Sequence, residues 1–240
     1  MKKMILLLAL STMTLSSCDT ARQVLEGVAA GNTGELSTTE IAMGLKEALT
    51  VGTSRSTSQL SAVDGFFQNA AIKILLPPEA RNVESTLRNL GMGNLVDRAV
   101  LSLNRAAEDA AKTAGGIFVD AVKQMTITDA MNILRGGDFA ATNYFKGRTT
   151  VALTNAFRPV IDRSLQNVNA TKYWGDVINA YNLVATNKIN PDLTAYVTDR
   201  ALTGIFYQLG LEEQKIRQNP VARTTDLLKR VFGSRLAQGS

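Results

Sequence analysis

The sequence contains no histidine, and its only cysteine is Cys18, among 240 residues. Without histidine, the commonest general base and every Ser–His or Cys–His nucleophile arrangement are missing. One thiol closes no intramolecular disulfide, and the Cys and His clusters of structural zinc, haem and iron–sulfur sites cannot be assembled. Five prolines and eighteen glycines exclude collagen-like and proline-rich chains. Beyond the first turns there is no apolar run of the ~18 residues that a membrane-spanning helix needs. EF-hand spacing, a phosphate-cradling glycine loop and a dinucleotide fingerprint are also missing, so no metal or cofactor is expected. What is present is ample apolar material: 45% of residues, against 20% charged and 6% aromatic, enough for a core and too much for disorder.

The amino terminus has the layout of an export signal. Met1-Lys2-Lys3 is a short positive region and Met4–Leu10 a short apolar one, too short to span a bilayer. The run closes in Leu15-Ser16-Ser17-Cys18, which looks like a bacterial lipobox. Small residues before the cysteine let an extended chain enter a signal peptidase, and the thiol would receive diacylglycerol. Residues 1–17 then read as a lipoprotein signal peptide and Cys18 as an acylated N-terminus, a modification that also consumes the lone thiol. Two or more acyl chains suffice for stable attachment. Removing Lys2 and Lys3 leaves 24 basic residues (26 minus 2) against 21 acidic, too mild a balance to argue for nucleic acid.

Residues 18–35 read as the lipidated end and a flexible tether, and 36–240 as a single helical domain. Ser37 with Glu40 matches a capping box, followed by Ile41, Leu45, Ala48 and Leu49 at helical spacing. Gly52–Ser61 is polar and reads as a turn or loop. A helix is expected through Phe66, Phe67 and Ala70, then an extended approach to Pro77-Pro78. Pro78 opens a helix with the face Val83, Leu87 and Leu90, ended by Gly91. The clearest helix spans about Leu95–Thr113: Val96, Ala99, Val100, Leu103, Ala106, Ala107, Ala110 and Ala111 share one arc, with Asn104, Arg105 and Glu108 on the polar remainder. Gly115-Gly116 is read as a break before a helix over Ile117–Met125. Thr126–Asp129 caps a short helix ended by Gly136-Gly137, and Asp138 caps the next. Residues 148–168 read as helix interrupted or kinked at Pro159. Tyr173, Val177 and Tyr181 repeat every four residues. Asn190-Pro191 opens a helix running to Gly210, and Asn219-Pro220 opens a last one ended by Gly233. The fold class is all-α: a compact bundle of about nine to eleven helices with glycine and proline breaks and no significant sheet.

Several stretches together resemble one bacterial family, the domain of unknown function numbered 4197. They include Val63-Asp64-Gly65-Phe66, Ile72–Pro77, Leu103-Asn104-Arg105-Ala106-Ala107-Glu108 and Met125–Ala130. Further on come Gly137-Asp138, Tyr144-Phe145, Ile216-Arg217-Gln218-Asn219-Pro220 and Leu228–Gly233. The resemblance covers about Ile41–Gly233 and implies an exported, helical protein of Gram-negative bacteria, often a lipoprotein; it carries over no catalytic residue.

Among polar groups, Asn104, Arg105 and Glu108 beside Tyr144, with Arg217 and Arg223, form the best candidate binding cluster, since arginines near a tyrosine and amides can grip a carboxylate or phosphate. The competing reading is a structural network in which Arg217 and Arg223 satisfy helix-end carbonyls or pair with Glu108. Tyr173, Trp174, Tyr181, Tyr196 and Phe206 read first as core and second as a ligand cleft. Glu108-Asp109 and Glu212-Glu213 are neighbours in sequence and diverge around a helix, and Asp129 and Asp138 read as caps. The expected function is therefore a non-catalytic interaction or structural module of the cell envelope, held to a membrane by Cys18 and facing the periplasm, with an envelope protein as partner. Two alternatives stay open: a helical binding protein for an apolar or lipid ligand, and a histidine-free hydrolase of envelope glycan using two carboxylates. The choice of membrane also stays open. Asp19 after the cysteine resembles the inner-membrane retention signal of enteric bacteria, which other Gram-negative groups do not follow.

Overall fold

The computed structural model describes residues 36–183, 188, 190–219, 222–223 and 225–233; the expected signal peptide, Cys18 and the tether lie outside the described residues. Ser37 opens the first helix, α1 (Thr38–Ser61), through the capping box: its hydroxyl accepts the Glu40 N–H at 3.2 Å, and Glu40 Oε2 accepts the Ser37 N–H at 2.8 Å. The helix continues through Gly52–Ser61, so the expected loop there is helical. Its hydroxyls explain the difference. Thr53, Ser56 and Thr57 each donate to the carbonyl four residues back, at 2.8–2.9 Å, and so bury as small, internally satisfied side chains.

After α1 the chain reverses at Asp64, whose φ is 69°, and Gly65. A Cβ at Gly65 would sit 2.4 Å from the Gln59 carbonyl oxygen, so only glycine passes this close to the end of α1. The helix expected through Phe66 and Ala70 is instead a run of turns. A 3-10 turn at Pro78–Ala80 leads into α2 (Arg81–Asn89), which stops before Gly91 at φ 75°. The stripe Val83, Leu87, Leu90 does not face the core: no residue of α2 is buried.

The alanine-rich helix is α3 (Gly93–Ala111). Its apolar stripe is buried as read, except for half-buried Ala99; Asn104 and Glu108, assigned to the polar arc, are buried too. Next, α4 (Ala114–Gln124) contains Gly115 and Gly116 in its first turn, so the break falls at Lys112–Thr113 and not at the glycines. Thr126 and Asp129 cap α5 (Ile127–Arg135), which stops at Gly136. α6 (Ala140–Asn167) is one helix of 28 residues with Pro159 inside it, not an interrupted one. Asp138 makes no cap bond to α6. α7 (Ala170–Asn182) leaves Tyr173 64% exposed, so this aromatic is not core. α8 (Leu193–Gln218) begins at Asp192, whose side chain accepts the Ala195 N–H at 2.8 Å, two residues beyond the expected cap at Asn190. It also runs past Gly210, where the Phe139 ring occupies the space a Cβ would need, 3.1 Å away. α9 (Asp226–Gly233) ends the described chain.

α6 packs along both α8 and α3, and α1 lies against α4, α5 and α8. Phe118 of α4 meets Phe145 of α6 edge-on at 5.4 Å and Phe206 of α8 at 6.3 Å, the geometry that aromatic quadrupoles favour. Phe66, Phe118, Phe145 and Phe157 are fully buried, each stabilising the fold by about 1.5–3 kcal/mol through removal of apolar surface from water. Among the described residues there is no strand, and no helix is long and apolar enough to cross a membrane.

Candidate functional site

Asn104 is buried on α3 and points at the non-helical segment after the first turn. Its Nδ2 donates to the Ile74 carbonyl at 2.8 Å and to the Val100 carbonyl at 2.7 Å, while its Oδ1 accepts the Ile74 N–H at 2.9 Å. A side-chain amide thus does for Ile74 what a neighbouring strand would do, satisfying both backbone groups where no ladder exists. One turn along, Glu108 Oε1 accepts the N–H groups of Phe66 and Phe67 at 3.1 and 3.2 Å. Arg105 bridges Glu108 Oε2 and Asp64 Oδ1, the latter at 2.7 Å. Together the three residues fasten the turn that follows α1 onto α3.

Arg217 belongs to a second assembly, built around Glu213 on α8. Glu213 Oε1 accepts the Ala141 N–H at 2.9 Å, and Oε2 accepts both the N–H and the hydroxyl of Thr142 at 2.8 Å. The carboxylate therefore caps α6 from another helix, in the place where Asp138 was expected to act, and its charge suits the positive end of the helix dipole. Arg217 pairs with Glu213 at 2.9 Å and donates through Nη2 to the Ile133 carbonyl at 2.7 Å, at the negative end of α5. Arg223 closes α8 itself, donating to the carbonyls of Ile216 at 3.0 Å and Arg217 at 2.8 Å, with its guanidinium 5.6 Å from the Phe232 ring centre.

The six candidate residues therefore do not make one cluster. Asn104, Arg105 and Glu108 bond to residues 64–74 and to each other, whereas Arg217 and Arg223 bond to helix ends elsewhere and Arg217 pairs with Glu213, not Glu108. Tyr144 stands apart from both, its ring 5.7 Å from the Arg148 guanidinium. Burial, then the charge of Asp129, raises its phenol above the ordinary value, with Arg148 opposing. The buried carboxylates Glu108 and Glu213 are spent on backbone groups within the fold; buried Glu212 is not, since its Oε1 meets only Lys215 at 3.5 Å and its Oε2 has no hydrogen-bond partner among the described residues. Pairs such as Arg217 with Glu213 yield little net stability against an apolar replacement, but removing one partner strands the other; their effect is to fix where helices start and stop.

A group that the sequence reading did not single out lies in an open cleft of about 420 Å³ between α6 and the start of α8, lined by Asn155, Arg158, Pro159, Asp162, Asp192 and Thr194. Pro159 has no N–H to donate to the carbonyl four residues earlier, that of Asn155, and both residues line the cleft. Two carboxylates face this space, the arrangement that carboxylate-based glycan hydrolysis would need. Their partners argue for another task. Asp192 caps α8 and pairs with Arg158, and Asp162 accepts the Thr194 hydroxyl at 3.1 Å. Burial opposes ionisation of Asp192, but the Arg158 guanidinium and the Ala195 N–H outweigh it and hold the carboxyl below the usual aspartate range. A general acid needs the opposite shift. Only the cap at Asp192 had a local signal, an acidic residue just before an apolar helical run; Glu213, Asp162 and Thr194 owe their roles to pairings 30 or more residues away.

Neither a curated protein nor a solved structure matches this chain. One family model does, over residues 35–233, a span that takes in both clamps and the cleft. The chain belongs to that family, described as "Protein of unknown function (DUF4197)".

Proposed function

We propose that the protein is a lipid-anchored module of the bacterial envelope, facing the periplasm and acting by holding or contacting an envelope partner and not by catalysis. The observation that carries this reading is Leu15-Ser16-Ser17-Cys18 behind a short positive and apolar leader. The use of most inner charges supports the rest of it: Glu108, Glu213, Arg105 and Arg217 are engaged with backbone groups or with each other, and buried Glu212, whose Oε2 has no partner among the described residues, is the exception. The one cleft described above is lined mainly by polar groups, an environment that suits a solvated surface better than an apolar ligand.

Replacement of the acyl acceptor tests the anchor. Cys18→Ala should move the protein from the membrane fraction to the soluble envelope fraction while leaving its helical content unchanged. Wild-type protein that sediments without membranes would overturn the anchor. For the module role, in-cell cross-linking followed by co-purification should recover an envelope component with the wild-type protein and lose it with Cys18→Ala; recovery of no envelope component would count against that role.

A further inference from the structure

We draw no further inference here: the strongest candidate, the buried Glu212 carboxylate on α8 with its unpartnered Oε2, lies outside the cleft between α6 and α8, and nothing among the described residues shows what ligand or donor would meet it.

Discussion

The Thr142 hydroxyl donates to Glu213 Oε2 at 2.8 Å across 71 residues of chain, so the start of α6 is fixed by a carboxylate on α8 and not by a local cap. Arg217, one turn further along α8, carries the same tie to the end of α5. Two helix termini therefore depend on one buried ion pair.

Glu213→Ala should lower the unfolding free energy by about 3 kcal/mol, because it leaves the Ala141 and Thr142 N–H groups and the mostly buried Arg217 without their acceptor. Thr142→Val should lower it by about 1 kcal/mol, the loss of one hydroxyl bond. Urea denaturation of both variants measures the difference; equal, small effects would contradict a clamp centred on Glu213.

Asn104→Leu should cost about 1–3 kcal/mol and act locally, since both backbone groups of Ile74 lose their partner. Hydrogen exchange at Ile74 should rise well before that of α6. Unchanged exchange there would show that another group holds the segment.

Two glycines should respond in opposite directions. A Cβ at Gly204 would lie 2.5 Å from Phe66 Cε1, so Gly204→Ala should destabilise by about 1–3 kcal/mol through overpacking. Gly147 is exposed within α6 with nothing near its missing Cβ, and Gly147→Ala should stabilise by about 0.5–1 kcal/mol. Thermal melts compare them directly.

Stability should be flat between about pH 5.5 and 8, because no histidine titrates there. Below that it should fall. Glu40 and Asp129 are held under their ordinary values of 4.5 and 3.8 by the capping bonds of Ser37 and Thr126. Asp192 is held low by Arg158 against the effect of burial. A carboxyl with a lowered folded value contributes its stability above the unfolded value and loses it as pH drops through the folded one. Melting temperature followed from pH 8 to 3 checks the profile. Asp192→Asn should weaken its acid limb; a maximum inside the flat range would contradict it.

Elements with a local chemical signal were legible in the sequence. The boxes at Ser37–Glu40 and Thr126–Asp129, the stop at Gly136 and the alanine stripe of α3 are all written within a few residues, and the structure has each of them. Polarity misled where hydroxyls could bond backward: Gly52–Ser61 looks like a loop by composition, yet Thr53, Ser56 and Thr57 bury in α1. Gly210 and Pro159 mislead because tertiary contacts override local preference, an aromatic ring lying against one and a long helix absorbing the other. The polar cluster was legible residue by residue and not as an assembly. Asn104, Arg105, Arg217 and Arg223 are structurally engaged, but Glu213 decides how Arg217 is used, and its partner lies 71 residues away.

The mass of the native protein extracted from membranes tests the central proposal most directly. A chain that begins at Cys18 and carries the added mass of its acyl groups is the predicted result. A chain that keeps Met1–Ser17 with an unmodified thiol would contradict it, and with it the envelope role built on that anchor.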